Sequence, residues 1–175
     1  MDYFKELFES DLARYGVDKA DYWTLRFLYF YRKVSTCNNK LLLPYYRLRY
    51  NMICKKRGVE ISRCVKIGKG LYVGHAYNIT VNDNTILGNN INIHKGVTIG
   101  QENRGIRKGT PQIGNQVWIG VNSTIVGNIT IGDDVLIAPN SFVNCNVPSH
   151  SIVIGNPCNV IRRENATENY ICNLV

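Results

Sequence analysis

The sequence predicts a mainly β protein, a parallel β-helix with a short α-helical cap at its N-terminus. From Gln112 to Asn146, aliphatic side chains recur at every sixth position, and Gly or Ala follows four of them directly. An α-helix repeats every 3.6 residues and a flat strand every two, so neither explains a step of six. A chain that runs straight for about five residues and then turns a corner does explain it. The anchors, which we expect to point into a three-sided prism, are Ile113, Ile119, Ile125, Ile131, Ile137 and Val143.

The step of six extends back towards the N-terminus, with two interruptions. The interval from Val73 to Val81 is eight, so two extra residues enter around His75. The segment 101–110 contains no anchor, and we expect it to leave the prism as a loop. Interruptions of a regular solenoid are where functional groups tend to lie. The earlier anchors are Ile61, Ile67, Val73, Val81, Leu87, Ile93 and Ile99.

Three helices are expected ahead of the solenoid. Residues 3–15 place apolar side chains at helical spacing. Asp18 is expected to cap a second helix at 19–34. A third helix is expected at 41–57, because Gly58 stands where a helix commonly ends. Together these helices form an accessory layer and not an independent enzyme.

Length and composition bear on the number of domains and on the expected location of the protein. A chain of 175 residues suits one domain with a small accessory piece, and we divide it into a helical region at 1–58, a β-helix domain at 59–161 and a tail at 162–175. No apolar run approaches the roughly 20 residues that cross a bilayer, and the first residues lack the pattern of a signal peptide. The six cysteines show no CxxC and no zinc spacing. We therefore expect a cytoplasmic protein with reduced thiols.

The net charge of +8 is concentrated in the helices. Between Trp23 and Gly58 there are nine basic residues, interleaved with aromatic ones, and no acidic residue. This pattern is typical of a solvated helical face, and it also suits an anionic membrane surface or an anionic glycan. No nucleic-acid motif accompanies it, so nucleic acid is not an expected partner. The basic residues are Arg26, Arg32, Lys33, Lys40, Arg47, Arg49, Lys55, Lys56 and Arg57.

Several short motifs of the repeat region resemble those of serine acetyltransferases, over about residues 59–161. This resemblance to a family of hexapeptide-repeat acyltransferases implies a left-handed β-helix, acetyl-CoA as acyl donor, and a homotrimer with active sites between neighbouring prisms. Full-length relatives use a larger helical domain to pair trimers, so the short helical region here favours a simple trimer. The motifs are V-E-I at 59–61, K-I-G-K-G at 66–70, His75-Ala76, V-T-I-G at 97–100, W-I-G at 118–120, G-N-I-T-I-G-D at 127–133 and G-N-P at 155–157.

Acetyl transfer to a hydroxyl needs a base to take the hydroxyl proton, and histidine does this near neutral pH. His75 lies in the two-residue interruption and matches the catalytic histidine of the family. Glu60 matches the aspartate that orients it. With about 18 residues per coil, we expect His75 to lie beside Glu60, one coil later. His94 and His150 match no catalytic position and are interpreted as structural.

The acceptor-binding motifs differ from those of the family. Lys108-Gly109-Thr110-Pro111 stands where the resemblance implies Asp-Arg-His-Pro, and Gly74 replaces an aspartate beside the catalytic histidine. Because these groups recognise an amino acid, we expect a sugar or polysaccharide hydroxyl as the acceptor. The loop residues that could bind it are Arg104, Arg107 and Lys108.

Two alternatives remain open. The first is an L-serine O-acetyltransferase that serves cysteine synthesis. The second is a solenoid with another role, such as a zinc enzyme or an inactive scaffold. A zinc site needs three converging ligands, and only His75 and His94 are about a coil apart, so we expect no metal.

The resemblance also implies where acetyl-CoA binds. In related enzymes the pantetheine arm contacts backbone groups near the corners, and basic residues contact the phosphates, where arginine is favoured. The corner glycines could equally have no ligand role. The matching positions are Gly100, Gly120, Val121 and Pro139 for the arm, and Arg162 with Arg163 for the phosphates.

Overall fold

The computed structural model describes residues 2–16 and 20–175, and in them three helices precede a parallel β-helix of about five turns. The helices are α1 Tyr3–Ala13, α2 Tyr22–Thr36 and α3 Leu43–Arg57. The predicted fold class, a mainly β solenoid with an N-terminal helical cap, is confirmed. The strands are β1 Val59–Ile61, β2 Lys66–Ile67, β3 Tyr72–Gly74, β4 Ile79–Val81, β5 Ile86–Leu87, β6 Asn92–His94, β7 Thr98–Gly100, β8 Gln112–Ile113, β9 Val117–Ile119, β10 Thr124–Val126, β11 Thr130–Ile131, β12 Val135–Ile137, β13 Phe142–Val143, β14 Ser151–Ile154 and β15 Asn159–Arg162.

Successive strands join three parallel sheets in turn, which form the three sides of a prism. Sheet A has the order β1-β4-β7-β10-β13, sheet B the order β11-β8-β5-β2, and sheet C the order β15-β14-β12-β9-β6-β3. The register aligns the anchors of successive coils, so that Val81 pairs with Ile99 and Ile99 with Ile125. Among the strands of the described residues, only β15 runs antiparallel, against β14.

The anchors form the core of the prism, as the step of six predicts. All thirteen from Ile61 to Val143 are buried, and Ile67, at 8%, is the most exposed. The small residues four positions after the anchors are buried too. Among them, the hydroxyls of Ser123 and Ser141 donate to the carbonyl oxygen of Ala138, at 3.0 and 2.7 Å. The hydroxyls of Ser123 and Ser141 therefore have partners, which removes the cost of burying them, whereas the buried hydroxyl of Thr85 has none among the described residues.

The corner between sheets C and A, called the His75 edge below, carries one bend per coil. Its residues are 74–78, 94–97, 120–123 and 138–141. Each bend places at least one residue at positive φ, and His75 has a φ of +61°. Backbone hydrogen bonds link the bends, for example from Asn140 N to the Val121 carbonyl at 2.9 Å. The bends therefore stack into a continuous edge.

The two predicted interruptions lie where the sequence indicates. The segment 101–110 leaves the corner between sheets A and B as an exposed loop. Glu102 and Gly109 exchange two backbone hydrogen bonds at its base, both 3.0 Å long. The extra residues around His75 form the first bend of the His75 edge.

The second helix begins later than predicted, at Tyr22, and the residue that caps it is Asp21. The Asp21 carboxylate accepts hydrogen bonds from the backbone N–H groups of Trp23 and Thr24, at 2.9 and 3.2 Å. The predicted cap, Asp18, lies outside the described residues. The third helix starts at Leu43, two residues after the predicted boundary. In the described residues, no helix is both long and apolar enough to span a membrane.

The helices share one hydrophobic core with the solenoid. Phe27, Leu28 and Tyr31 are fully buried in the same cluster as the anchors of the first coils. A buried ion pair joins α1 to α2, with Arg32 Nε 2.7 Å from Asp11 Oδ2. The division of the chain at 58/59 and 161/162 stays a prediction.

The residues after β15 return over the outer face of sheet C. Asp134 accepts hydrogen bonds from the backbone N–H groups of Ala166 and Thr167, both 3.0 Å, and from the Thr167 hydroxyl at 2.6 Å. Arg14, at the end of α1, donates to the carbonyl oxygen of Cys172 at 3.0 Å. This segment therefore connects the fourth coil to the helical cap.

Candidate active site

His75 is the most accessible functional side chain of the first bend, with 74% of its side chain exposed. The residues on either side of it are fixed by the helical cap and the next coil. The Ala76 N–H donates to the Thr24 hydroxyl at 3.2 Å, and Arg57 Nε donates to the Ala76 carbonyl at 3.0 Å. The Gly74 carbonyl accepts from Lys95 N at 3.1 Å. A fixed bend with an exposed imidazole suits a base that must meet a diffusing substrate.

Asp21 is the carboxylate nearest to His75 among the described ion pairs, with Oδ2 4.0 Å from His75 Nδ1. Burial raises the pKa of Asp21, but hydrogen bonds from Thr24 and Trp23 and the charge of Arg57 outweigh it and lower the pKa. Asp21 is therefore ionised at neutral pH. Since 4.0 Å exceeds hydrogen-bond length, Asp21 is a charged neighbour of the imidazole and not its hydrogen-bond partner.

In the described residues no ion pair or hydrogen bond joins His75 to Glu60, and their expected pairing stays a prediction. Glu60 is in the middle of β1, where it pairs with Thr80 of β4, and its side chain is on the outer face of sheet A. It lines a groove with Tyr50 and Asn82. The bend directs His75 towards the N-terminus of α2, where Asp21 lies.

His94 is next to His75 on the same edge, one coil later, and is half-buried. Its ring lies against Gly74, where a β-carbon would meet His94 Nδ1, and its centroid is 4.7 Å from that of Trp118. Burial lowers the pKa of His94 to about 4, with a contribution from the charge of His75. His94 Nε2 is buried without a hydrogen-bond partner. His94, which was interpreted as structural, is therefore neutral and packs against the bend that carries His75.

Three of the six candidate acetyl-CoA positions are on the His75 edge. Gly120 and Val121 form the bend of the third coil, and Pro139 is in the bend of the fourth. Gly120 N donates to the Ile137 carbonyl at 2.9 Å. A β-carbon at Gly120 would come within 2.6 Å of Pro139 N, so only glycine fits there. The edge therefore continues from His75 as a surface of small residues and backbone groups.

The other three candidates are elsewhere on the same chain. Gly100 ends β7, at the far side of sheet A from the His75 edge. Arg162 pairs with Ser151 at the beginning of β14, at the opposite side of sheet C, and Arg163 N donates to the His150 carbonyl at 2.8 Å. One chain does not bring these residues to His75.

The candidate acceptor residues Arg104, Arg107 and Lys108 are exposed in the loop 101–110, on the corner between sheets A and B. Sheet A separates this loop from the His75 edge. The loop is anchored to the solenoid by Asn128 N, which donates to the Arg107 carbonyl at 2.8 Å. In the described residues, no three His, Cys, Asp or Glu side chains are placed to share a metal ion.

Asp21 and Thr24 are the site residues that sequence reasoning missed. Asp21 is 54 positions before His75, so no local pattern connects the two. The one available signal was an Asp directly before the helical run of α2, because Asp commonly caps a helix. The sequence alone does not show that the N-terminus of this helix contacts a bend of the solenoid.

The repeat region is similar in sequence to known proteins. Residues 110–145 match the family model described as bacterial transferase hexapeptide (six repeats). Serine acetyltransferase of Staphylococcus epidermidis is 37% identical over 107 residues, which are 61% of this chain and 50% of that protein. Serine acetyltransferase 2 of Arabidopsis thaliana is 36% identical over 105 residues, which are 60% of this chain and 32% of that protein.

Solved structures extend the similarity to the helical cap. The structure of Neisseria gonorrhoeae serine acetyltransferase is similar over 92% of this chain and 67% of that one, with a TM-score of 0.77 and 29% identity. In complex with serine, that enzyme gives 30% identity over 90% of this chain and 69% of its own, with a TM-score of 0.69.

The repeat, the three-sided solenoid and these matches define a hexapeptide-repeat acyltransferase, and the chain belongs to this class. Within the class, its relatives are the serine acetyltransferases, as the sequence motifs predict. The chain spans about a third to a half of the length of the curated relatives it matches.

Proposed function

We propose that this protein is an acetyl-CoA-dependent O-acetyltransferase in which His75 is the general base. The observation that carries the proposal is the exposed imidazole at the first bend, beside an ionised carboxylate at 4.0 Å. Asp21 stabilises the imidazolium that forms when His75 accepts a proton. A base of this kind contributes about 10²- to 10⁴-fold to the rate.

His75 acts twice in the reaction. It takes the proton of the acceptor hydroxyl as the hydroxyl oxygen forms its bond to the acetyl carbonyl carbon. When the bond from that carbon to sulfur breaks, His75 returns the proton to the departing thiolate. Atoms and charge balance, and the products are an O-acetyl ester and a free thiol.

The acceptor that the relatives support is L-serine. The curated matches are named serine acetyltransferases, and the enzyme of Neisseria gonorrhoeae is described in complex with serine. These comparisons favour L-serine over the sugar or polysaccharide hydroxyl that the sequence analysis ranked first.

One feature of the site favours a sugar hydroxyl as the second candidate. An amino-acid substrate carries an ammonium group, which binds best beside a carboxylate. At the first bend Gly74 supplies no carboxylate, the ring of neutral His94 occupies the space beside it, and the one described carboxylate there, Asp21, faces His75. A neutral acceptor needs no such partner.

The His75 edge suits the pantetheine arm of acetyl-CoA. Gly120, Val121 and Pro139 leave the edge narrow, with backbone groups near the surface. Gly100, Arg162 and Arg163 could complete the site from a neighbouring chain, because they face other sides of their own prism. For this reason we include a homotrimer, with sites between subunits, in the proposal.

An acceptor screen tests the proposal. Purified protein is given acetyl-CoA with L-serine, or with a panel of monosaccharides and oligosaccharides, and released CoA is measured by chromatography. Chromatography avoids thiol reagents, which would react with the six cysteines of the protein. Release that requires L-serine supports the first acceptor, and release that requires a sugar supports the second. No acceptor-dependent release, or equal release by His75→Ala, would contradict the proposal.

A further inference from the structure

The outer side of α3 exposes an unusual stripe of large apolar side chains. Positions 45, 48 and 52 follow the three- and four-residue spacing that places side chains on one side of a helix, and Leu41 and Leu42 directly precede its first turn. The opposite side of α3 packs into the core through Tyr50 and Ile53. The stripe, called the α3 face below, consists of Leu41, Leu42, Tyr45, Leu48 and Met52, which are 88%, 47%, 54%, 60% and 56% exposed. Contiguous exposed apolar surface of this kind marks an interaction site.

Basic side chains surround the α3 face. By helical spacing, Arg47 borders the stripe on one side and Arg49 on the other, and Lys55 and Lys56 follow it at the C-terminal end. Lys56 Nζ is 4.2 Å from the centroid of the Trp23 ring, a cation–π contact that holds its charge at the border. No acidic residue occurs between Trp23 and Gly58. Of the nine basic residues there, only Arg32 is neutralised in a buried ion pair.

The apolar stripe and the basic residues around it together favour one kind of binding partner. A second copy of the face would bring two sets of positive charges together, which costs free energy unless anions intervene. A nucleic acid would neutralise the charges but leave the leucine side chains in water. An anionic lipid surface satisfies both requirements, because it offers phosphate groups at the level of the basic side chains and acyl chains below them.

We infer that the α3 face binds the anionic surface of a phospholipid membrane. Leu41, Leu48 and Met52 enter the boundary between headgroups and acyl chains, and α3 lies in the plane of that boundary. Arg47, Lys55 and their neighbours extend their charged ends to the lipid phosphates while their methylene groups cover the rim of the stripe. This attachment is independent of which acceptor hydroxyl the enzyme uses.

Sedimentation with phospholipid vesicles tests the inference on the whole protein. Vesicles of phosphatidylcholine alone are compared with vesicles that also contain phosphatidylserine, at low and high salt. We expect binding to the phosphatidylserine vesicles only, weakened by salt because exposed charges are screened. Leu48→Glu should lower the affinity by about tenfold or more, and so should Lys55→Glu.

Matched variants distinguish an effect at the α3 face from a general effect of the same change of charge elsewhere on the protein. Ile106→Glu places the same charge at an apolar residue that is 96% exposed, in the loop 101–110. Lys66→Glu reverses an exposed charge on the solenoid. Both should bind as the unchanged protein does. If Leu48→Glu disturbs folding, Leu41→Glu replaces it, because Leu41 precedes the helix and is nearly fully exposed.

Three results would overturn the inference. The first is equal binding to both kinds of vesicle, or to neither. The second is unchanged binding by folded Leu48→Glu or Leu41→Glu. The third is a drop in the molecular mass of the assembly on Leu48→Glu without a change in lipid binding, which would assign the α3 face to a contact between copies of this chain.

Discussion

At the scale of single residues, the bend at His75 combines strain with function. A β-carbon at positive φ costs roughly 1–2 kcal/mol, and such positions cluster at functional sites. Asparagine fills the bends of the later coils at Asn122 and Asn140, where it tolerates this conformation well. Histidine is also among the residues enriched at positive φ, and at the first bend it places an imidazole that is 74% exposed.

The first prediction separates the two carboxylates proposed to assist His75. Asp21→Asn keeps a good N-cap for α2 and removes only the charge, so kcat should fall by about tenfold or more with little change in stability. Glu60→Gln should leave kcat within about twofold, because its carboxylate is on the outer face of sheet A. Steady-state kinetics on both variants provide the measurement. A larger loss in Glu60→Gln than in Asp21→Asn would return the orienting role to Glu60.

The second prediction concerns the pH dependence that His94 gives to stability. Burial lowers the pKa of His94 to about 4, against an ordinary value of 6.5, so the unfolded chain binds more protons between these two pH values. The free energy of unfolding should therefore be highest above about pH 6.5 and fall as the pH approaches 4, by about 1 kcal/mol per pH unit. Urea unfolding of the unchanged protein and of His94→Gln at several pH values measures this. Equal slopes in the two proteins would show that His94 does not cause the decline.

The candidate site was only partly predictable at this scale. His75 could be identified because it interrupts a regular repeat and carries the only side-chain type suited to the base. Its partner could not, because Asp21 reaches the bend through the packing of α2 against the first coil. Glu60 was assigned from a position in a motif, and a motif does not give the direction of a side chain.

At the scale of elements, the buried ion pair of Asp11 and Arg32 connects the helices to the prism. Arg32 also donates to the carbonyl oxygens of Ile67 and Gly68, at 2.9 and 2.7 Å. Asp11 also accepts from the Leu71 N–H at 2.8 Å. Two helices and two strand ends therefore meet at one ion pair, and the angle between cap and solenoid is fixed there.

The third prediction concerns the contribution of this ion pair to the free energy of unfolding. Arg32→Met leaves the Asp11 carboxylate buried without a cation, which should lower the free energy of unfolding by about 3–5 kcal/mol. Adding Asp11→Asn should recover part of this loss, because asparagine can still accept from the Leu71 N–H. The control is Lys5→Met, which removes an exposed pair with Glu9 at 3.7 Å and should cost less than about 1 kcal/mol. Urea unfolding that gives the two single variants equal stability would contradict a structural role for the pair.

The helix boundaries show why elements are harder to delimit than to detect. The apolar spacing of α2 was correctly predicted as a helix, but two aspartates, Asp18 and Asp21, precede it and both are good caps. The structure uses Asp21, whose carboxylate also accepts from the Thr24 hydroxyl at 2.6 Å. Local propensity cannot separate two equivalent caps, whereas packing against the solenoid can.

At the scale of the whole molecule, a strict period predicts the architecture more completely than any single motif. Every anchor of the six-residue step is buried, because a repeat of one corner geometry admits few other folds. The return of residues 166–175 over sheet C was not predictable. It depends on Asp134 and Asn90, which look like ordinary corner residues in the sequence.

The fourth prediction follows from the separation of the candidate groups. We proposed that Gly100 and Arg162 bind acetyl-CoA together with His75. Because the three residues are on different sides of one prism, that proposal requires a second chain at each site. Light scattering should therefore give a mass near 60 kDa, about three times the 19.9 kDa of one chain. A stable monomer with full acetyltransferase activity would show that one chain suffices.

The antiparallel strand β15 has a consequence for how the molecule ends. A stack of parallel coils exposes, at its last coil, the same unpaired backbone groups that each earlier coil used to receive the next one. By running backwards along β14, β15 occupies those groups on sheet C and leaves an antiparallel strand at that edge. A neighbouring molecule therefore does not meet, on sheet C, the parallel edge that each earlier coil presents to the next, and we expect this reversal to disfavour end-to-end stacking into filaments.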